Sequence, residues 1–297
     1  MHLKLISALV ATSLGAAPAL AQELTGTLKK IKETGAVSLG HRESSVPFSY
    51  YDDRQQVVGY AMDLCARIVD RVKSELKLDT KLNPVTSATR IPLMANGTID
   101  LECGSTTNNL ERQKQVAFTI THFVTANRFV SKKSANLQTV DDLKGKTVVS
   151  TSGTTNIKQI TEIGAQKGLN LNILAAKDHA EAFLMVETGR AAAFVMDDIL
   201  LFSLVAASKS PKDYAISNDA LSVEPYGIML RRDDPSFKKV VDEAMIATYK
   251  SGAINPIYEK WFLKPIPPKG VNLDVPVSDA FKKVIASPTD SGDPAVY

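Results

Sequence analysis

The 297-residue chain has little of several features that mark specialised classes of protein. Two cysteines are too few for a disulfide-built scaffold, and 14 prolines and 16 glycines without a period exclude a collagen-like or low-complexity chain. The 35 basic and 32 acidic residues nearly balance, and no run of Lys or Arg exceeds a pair, so the sequence gives no electrostatic case for binding nucleic acid. With 44% hydrophobic residues disorder is excluded, and the length predicts one large or two medium domains.

The first 21 residues have the pattern of a secretory signal peptide. Lys4 supplies a short positive region, residues 6–20 are apolar and rich in small side chains, and residues 19–21 form an A-x-A cleavage signal. The apolar run is shorter than the ~20 residues of a membrane-spanning helix and contains Pro18, and no later run is long enough to span. We therefore expect an exported protein that is soluble after cleavage behind Ala21.

The two cysteines, Cys65 and Cys103, leave two alternatives. In an oxidising compartment an even pair invites a disulfide. Cys65, however, falls on the apolar face of a predicted helix and Cys103 at the end of a predicted strand, where buried free thiols are equally natural. We expect free thiols.

Short apolar runs alternate along the chain with helical patterns of ten or more residues, which is typical of an α/β protein with largely parallel sheets. A helix over 59–77 repeats an apolar residue every four positions, and a further helix is predicted over 109–115. A second series of alternating strands and helices runs over 147–207. Extended crossings near 124–130 and 224–230 connect the two series, so we expect two α/β lobes, a two-strand hinge and a ligand cleft between the lobes.

The turns that follow the predicted strands are rich in hydroxyl and arginine side chains. These turns begin at His41, Thr86, Gly104 and Ser150. Ligands of α/β sheets bind outside the carboxyl ends of the strands. Hydroxyl-rich turns that run into helices suit anions there, because backbone N–H groups and the helix dipole favour a negative oxygen. The turn at 150–155 is one such cradle, although no Gly-Lys-Ser/Thr follows it and nucleotide phosphate is therefore the weaker interpretation.

Helix capping is the alternative explanation for these polar residues. Asn108 with Glu111 three residues later fits a capping box, and Asp198 could cap the helix that follows it. Capping is the better explanation for any single hydroxyl. For the set of turns facing one cleft, we favour ligand binding.

Arg42, Arg90 and Arg112 follow three different strands. A guanidinium suits bidentate pairing with a carboxylate, and three of them indicate a ligand with two carboxylates. Asp197, at the end of the last strand of the second series, could hold an ammonium, so the set describes an acidic amino acid. Each arginine alone could instead be a surface or salt-bridged residue, and His179 could either donate to a ligand or simply begin its helix.

Signatures of catalysis are largely absent. The sequence has no C-x-x-C, H-E-x-x-H or G-x-S-x-G motif, and His41, His122 and His179 are too scattered for a metal site. We expect no catalytic residue, metal or cofactor. The rival hypothesis is an exported enzyme on the same scaffold, such as a dehydratase of a carboxylated substrate, with His179 or Glu43 as its acid or base.

Six segments stand out as motifs: GHRESSVPFSYYD at 40–52, TSATRIPLMANGTIDLECGSTTNNLERQKQVAF at 86–118, STSGTTN at 150–156, AKDHAEAF at 176–183, VMDD at 195–198 and WFLKPIPPKG at 261–270. Together they resemble the periplasmic glutamate/aspartate-binding proteins of Gram-negative ABC importers, which are type II solute-binding proteins of family 3. The resemblance covers essentially the whole mature chain. It implies a non-enzymatic, two-lobed periplasmic receptor that captures L-glutamate and L-aspartate and delivers them to a membrane permease.

The resemblance also implies roles for individual residues. Around the side-chain carboxylate of the ligand it places Arg42, Ser87, Arg90 and His179. Around the α-carboxylate and neighbouring polar groups it places Ser105, Thr107, Arg112 and Thr155. Asp197 matches the ammonium ligand. Ala88 and Thr89 depart from the family pattern between two of these residues and leave the order of preference between glutamate and aspartate open.

The expected organisation follows from these observations. Residues 1–21 form the signal peptide, residues 22–126 and 227–297 the first lobe, and residues 127–226 the second. We expect a monomer without nucleic-acid partners. A membrane-anchored sensor is disfavoured, because cleavage of the signal peptide would leave no anchor.

Overall fold

The computed structural model describes residues 24–74 and 78–297, so the expected signal peptide over residues 1–21 lies outside the described residues. Its helices are α1 (Gly26–Thr34), α2 (Tyr60–Lys73), α3 (Arg90–Ala95), α4 (Thr155–Gln166), α5 (His179–Glu187), α6 (Asp198–Ala207), α7 (Pro235–Lys250), α8 (Ile254–Phe262) and α9 (Asp279–Ala286). None of these helices, in the described part of the chain, combines the length and the hydropathy needed to cross a membrane.

The strands fall into three sheets. They are β1 (Ala36–His41), β2 (Ser44–Ser45), β3 (Ser49–Tyr51), β4 (Val57–Val58), β5 (Asp79–Pro84), β6 (Leu101–Cys103), β7 (Val116–Phe118), β8 (Phe123–Lys132), β9 (Thr147–Thr151), β10 (Asn172–Ala176), β11 (Ala193–Asp197), β12 (Tyr214–Ile216), β13 (Ser222–Tyr226) and β14 (Met229–Arg231). The first lobe is built on the order β5-β1-β6-β14-β7 and the second on β10-β9-β11-β8-β12, while β2, β3 and β4 form a small meander.

Parallel pairing sets the position of the cleft. β1 is parallel to β5 and β6, and β9 is parallel to β10 and β11. The carboxyl ends of these strands therefore lie at one edge of each sheet, where polar turns are exposed to a ligand. Buried apolar runs such as residues 148–149 and 193–196 are typical of strands covered on both faces by helices.

Two extended segments connect the lobes. β8 enters the second sheet and β13 leaves it, and they pair antiparallel from Phe123 opposite Tyr226 to Asn127 opposite Ser222. The two-lobed α/β fold with paired connecting strands is confirmed. The precise division behind residues 126 and 226 stays a prediction.

An aromatic cluster supports these connecting strands. Phe48, Phe123 and Phe262 are buried and lie with ring centroids 4.9–5.8 Å apart, and Tyr226 packs on the edge of Phe48. The C-terminal segment covers the same region, where the backbone N–H of Thr121 donates to the carbonyl of residue 289 at 2.8 Å. Apolar burial thus fixes the floor of the cleft on the side of the first lobe.

The helix expected over 109–115 was wrong, because only the 3₁₀ turn Arg112–Lys114 forms there. The side chain of Asn109 accepts a hydrogen bond from the backbone N–H that opens this turn, at 2.8 Å. The capping box considered as an alternative at Asn108 does not form, since the Asn108 amide donates to the carbonyl of Asp290 at 2.9 Å. Asparagine side chains compete in this way with regular helical hydrogen bonds.

Asp198 does not cap the helix that it begins. Its carboxylate accepts from the hydroxyl of Thr125 at 2.5 Å and from Nε of Arg128 at 3.2 Å. Both partners belong to β8, so Asp198 ties α6 to the connecting strand. The cap considered as an alternative for Asp198 therefore does not form.

The cysteines correct a further expectation. Cys65 and Cys103 form a disulfide, with their Cα atoms 6.1 Å apart, and the free thiols expected from the sequence are wrong. The apolar face of α2 packs directly on β6, which places the two fully buried side chains against each other. Helix and strand periodicity give the buried face of each element but not their register against one another.

Removing this disulfide is expected to lower the free energy of unfolding without changing the residues of the cleft. The bond closes a loop between residues separated by 38 positions, which corresponds to roughly 4 kcal/mol of chain entropy in the unfolded state. Urea unfolding with and without reductant measures the effect. The Cys65→Ala/Cys103→Ala double variant is the control, since reductant should lower the free energy of unfolding of the parent only. An equal response of both proteins would contradict the prediction.

Candidate ligand-binding site between the lobes

The structure brings the expected site residues together at the facing edges of the two sheets. The buried members are Arg42, Ser87, Arg90, Ser105, Thr107, Arg112, His179 and Asp197, and Thr155 is half-buried. Six come from turns of the first lobe, after β1, β5 and β6. Thr155 and His179 begin α4 and α5, and Asp197 ends β11.

The hydrogen bonds that hold the three arginines have neutral partners, and Oε1 of Glu102 lies 4.0 Å from Nη1 of Arg90. Nη1 of Arg90 donates to the hydroxyl of Thr106 at 2.5 Å, and Nη1 of Arg112 donates to the carbonyl of Thr107 at 2.8 Å. Nη2 of Arg42 lies 3.5 Å from Nε2 of His179. Three cations are thus concentrated in a volume from which water is largely removed, which favours an anion strongly.

Burial lowers the pKa of all three guanidinium groups, and the charge of Arg90 lowers the pKa values of the other two further. Burial, with the charge of Arg90 as the next cause, lowers the pKa of Arg42 to about 10, and the same two causes lower the pKa of Arg112 to about 9. Burial also lowers the pKa of Arg90, although Glu102 opposes the change. All three groups remain charged at neutral pH, and each would gain from a negative partner.

His179 is neutral and links the lobes. Burial, followed by the charges of Arg42 and Arg90, lowers its pKa well below the ordinary value. An arginine can only donate, so Nε2 accepts from Arg42, which leaves the proton on Nδ1 to be donated to the hydroxyl of Thr151 at 2.8 Å. His179 therefore begins α5, as one of the two sequence alternatives had it, and also contacts the first lobe, while its donation to a ligand stays a prediction.

Four of the expected site residues carry a buried polar atom that has no hydrogen-bond partner among residues 24–74 and 78–297. These atoms are Nη1 of Arg42, Oγ of Ser87, Nε of Arg90 and Oγ of Ser105. A buried donor without a partner costs about 1–3 kcal/mol. All four are donors or hydroxyls from the first lobe, and an anionic oxygen is the partner that would satisfy them.

Asp197 is the acidic member of the site. Nδ2 of Asn156 donates to Oδ1 at 2.7 Å, and the hydroxyl of Tyr226 donates to Oδ2. Burial, with the nearby Glu224 carboxylate as the next cause, raises the pKa of Asp197 to about 7. A cationic group beside this carboxyl would favour its ionised form.

Thr155 occupies a different environment from the other hydroxyls. Its Oγ1 donates to Oε2 of Glu224 at 3.1 Å, and Glu224 also accepts from Nε2 of Gln159 at 2.7 Å. Glu224 belongs to the connecting strand β13. A hydrogen bond thus connects Thr155 to the connecting strand β13. By contrast, the hydroxyls of Ser87 and Ser105 have no hydrogen-bond partner among the described residues.

Direct contacts between the lobes exist beside the site. Nη2 of Arg112 donates to the carbonyl of Gly153 at 3.3 Å, and Lys269 donates to the carbonyl of Ala207. Gly153 has φ +76°, and a Cβ built on it would lie 2.5 Å from Cα of Ala88. Only glycine allows the loop over 151–154 to approach the first lobe this closely.

Gly153→Ala is therefore expected to oppose closure of the lobes and to weaken ligand binding at least tenfold. Its matched control is Gly189→Ala, because Gly189 has φ +75° but nothing within 4 Å of a built Cβ. Both variants should lose similar free energy of unfolding from the strained backbone, about 1–2 kcal/mol. Calorimetric titration compares their affinities, and equal affinities in the two variants would contradict the close-approach explanation.

Glu43 and His179, the two candidates for a catalytic acid or base, are not arranged to act together on a ligand. Glu43 is exposed, while His179 is buried with both ring nitrogens hydrogen-bonded. No group of three or more His, Cys, Asp or Glu in the described ranges has the arrangement of a metal site.

Sequence reasoning missed several residues of the site. Glu102 and Thr106 lie beneath Arg90, and Asn156, Glu224 and Tyr226 surround Asp197. Glu102 carries a detectable signal, because a charged residue in the middle of a buried strand needs a partner. The group around Asp197 has no comparable signal, since it is assembled from α4 and the connecting strand.

Comparisons with known proteins are consistent with this geometry. Residues 37–264 match the family model described as bacterial extracellular solute-binding proteins, family 3. The chain is 53% identical over 290 residues to the "L-glutamate/L-aspartate-binding protein" of Pseudomonas aeruginosa, covering 96% of each chain. It is 46% identical over 288 residues to the "Glutamate/aspartate import solute-binding protein" of Escherichia coli K12, covering 96% of this chain and 94% of that protein.

Solved structures show the same architecture. A mutant of ArgBP from T. maritima superposes with a TM-score of 0.72 at 28% identity, covering 80% of this chain and 99% of that one. The superposition supports the two-lobed α/β architecture described above.

Proposed function

Because the chain belongs to the bacterial extracellular solute-binding proteins of family 3, we propose that it captures L-glutamate and L-aspartate and delivers them to the permease of an ABC importer. The observation that carries this assignment is the charge pattern of the cleft. Three buried arginines face one buried aspartate, and an amino acid with two carboxylates and one ammonium has the complementary charges.

The ligand's side-chain carboxylate lies between Arg42 and Arg90 in this proposal, with Ser87 and His179 beside it. The basis is the pair of guanidinium donors, one from each arginine, that lack partners among the described residues. Each charge-assisted hydrogen bond is worth roughly 1.5–3 kcal/mol. A few of them exceed the roughly 8 kcal/mol of a ~1 μM complex even after the cost of ordering.

The α-carboxylate lies near Arg112, with Ser105, Thr107 and Thr155 as neighbouring polar groups. The α-ammonium pairs with Asp197, whose raised pKa means that ligand binding and ionisation favour each other. Glutamine would leave Arg42 and Arg90 without a negative partner. The spacing of the two cationic sites therefore selects acidic amino acids.

Closure couples capture to delivery. His179 and Gly153 of the second lobe meet arginines of the first, so a ligand held by both groups stabilises the closed arrangement. The ligand shifts the equilibrium from the open to the closed arrangement by the free energy of those contacts that exist only in the closed arrangement. The permease can then distinguish the ligand-bound protein by its closed conformation.

Export to the periplasm completes the proposal. The signal peptide over residues 1–21 is removed, and the mature chain acts as a monomer whose lobes divide behind residues 126 and 226. The description of the matched family as extracellular solute-binding proteins supports a location outside the inner membrane. Exported location also agrees with the disulfide.

Uptake of radiolabelled L-glutamate and L-aspartate tests the proposed role in cells that lack this chain. We expect uptake at low ligand concentration to fall and to recover with the parent chain. The exposed-arginine variant Arg54→Ala should restore uptake, whereas Arg90→Ala should not. Unchanged uptake in cells lacking the chain would contradict the proposal.

A further inference from the structure

Glu102 is a fully buried carboxylate that the site, as assigned above, does not use. It lies in the middle of β6, and its Oε2 accepts a hydrogen bond from the hydroxyl of Thr106. Its Oε1 has no hydrogen-bond partner among the described residues and lies 4.0 Å from Nη1 of Arg90. A carboxylate in this position is costly to bury, so its presence needs a reason other than packing.

The residues around Glu102 connect it to Arg90 and Arg42. Thr106 bridges it to Arg90, since the same hydroxyl accepts from Nη1 of that arginine. A Cβ built on Gly104 would lie 2.3 Å from Oε1 of Glu102 and 2.8 Å from Cγ of Arg42. The carboxylate therefore lies beside the Arg90 guanidinium and close to the aliphatic part of the Arg42 side chain.

Charge balance gives Glu102 a function there. Within the described ranges, it is the carboxylate within 4.0 Å of the Arg90 guanidinium, and no carboxylate lies that close to the Arg42 guanidinium. Without a negative group beneath them, two buried cations would repel each other in a poorly solvated site. The Glu102 carboxylate offsets this repulsion before the ligand arrives, and it then repels the ligand's own carboxylate after binding.

We propose that Glu102 is a positioning and specificity-determining residue: it orients Arg90 through Thr106 and sets, by partial compensation of the arginine pair, how strongly the site prefers a carboxylate to an amide. The inference rests on the proposed function, because it concerns the recognition of the ligand's second carboxylate. Glu102 touches the arginine and not the ligand. Glu102 therefore lowers the affinity for L-glutamate, and it stabilises the folded protein when no ligand is bound.

Glu102→Gln tests the charge while keeping the shape and the acceptor for Thr106. We expect the ligand-free variant to unfold at a lower temperature and the Kd for L-glutamate to fall about tenfold, a change of about 1.4 kcal/mol. The Kd for L-glutamine, measured by displacement of labelled L-glutamate, should change less than threefold. A purely structural role would weaken both ligands together, so the ratio of the two constants is the decisive readout.

Two control variants separate charge from burial and from geometry. Asp100→Asn removes another buried carboxylate of the same lobe, one that pairs with Lys30 at 2.7 Å away from the site. It should lower stability and leave both Kd values unchanged. Glu102→Asp keeps the charge with a shorter side chain and should preserve the parent's ratio of Kd values.

The outcomes distinguish this inference from the proposed function. If the parent binds no L-glutamate, the proposed function fails and this inference fails with it. If the parent binds but Glu102→Gln binds L-glutamate no more tightly, shifts both ligands equally, or matches Glu102→Asp, the inference alone is overturned. Should Glu102→Gln fail to fold without ligand, refolding decides: recovery in L-glutamate but not in L-glutamine supports the charge role, and any other pattern overturns it.

Discussion

Arg90→Ala is expected to weaken the binding of L-glutamate at least 100-fold. The buried guanidinium, 2% exposed, offers Nε to the cleft, and its loss would leave both the ligand's second carboxylate and Glu102 without their cationic neighbour. Truncating one member of a buried charge pair typically costs 2–5 kcal/mol, of which 100-fold is about 2.7. L-Glutamine, which has no second carboxylate, should lose much less.

The exposed Arg54→Ala variant controls for the change in net charge. It should bind L-glutamate as the parent does. Titration calorimetry of the two variants at the same ionic strength gives the comparison. If Arg90→Ala stays within twofold of the parent, the second carboxylate is held elsewhere and the assignment of Arg90 is wrong.

Asp197→Asn is expected to cause a loss of similar size, roughly 100-fold at pH 8, by removing the negative partner of the ligand's ammonium. The side chain keeps its size and could still accept from Tyr226 or Asn156, so packing changes little. The loss is therefore electrostatic, in the range of about 1.5–3 kcal/mol for a hydrogen bond to a charged group.

The pH dependence of binding provides a second readout of the same residue. Burial, and next the Glu224 carboxylate, raises the pKa of Asp197 to about 7, so the ligand-free site binds a proton below that pH. The ligand's ammonium favours the ionised form, and binding must then release the proton. We expect the Kd of the parent to rise as pH falls from about 7 to 5, by up to tenfold per pH unit.

The Asp197→Asn variant should lose this dependence, whereas Asp198→Asn should retain it. Asp198 neighbours Asp197 in sequence but pairs with Arg128 and Thr125 of β8. Titrations in buffers with different ionisation enthalpies would count the released protons directly. A parent whose Kd is flat between pH 5 and 8 would contradict the role given to Asp197.

The same raised pKa has the opposite effect on the stability of the ligand-free protein. Between the ordinary value of 3.8 and about 7, the folded state holds a proton at Asp197 that the unfolded chain has released. The contribution of this group to the free energy of unfolding therefore increases as pH falls through that window. Ligand affinity and ligand-free stability should thus change in opposite directions with pH.

Local patterns were sufficient to predict the elements that position the site. The apolar repeat of α2, the buried runs of β9 and β11, and the polar turns after the strands are properties of short stretches of sequence. The arginines and Asp197 could be selected as candidates because they stand at strand ends, where the fold class alone predicts a ligand.

Tertiary contacts account for what the sequence did not reveal. The Cys65–Cys103 bond depends on how α2 lies across β6, and the helix expected after Asn108 is replaced by bonds to the C-terminal segment. Glu224 reaches Thr155 only because β13 returns beside β8. Each of these contacts joins residues that are distant in sequence, and no local period encodes them.

The most direct test is calorimetric titration of the mature protein, stripped of bound ligand by unfolding and refolding. The titrants are L-glutamate, L-aspartate, L-glutamine and L-arginine. Tight one-to-one binding of the two acidic amino acids alone is the result we predict, because only they supply two carboxylates and an ammonium. Binding of L-glutamine or L-arginine as tight as that of L-glutamate, or no binding of any of the four, would contradict recognition by paired arginines and Asp197.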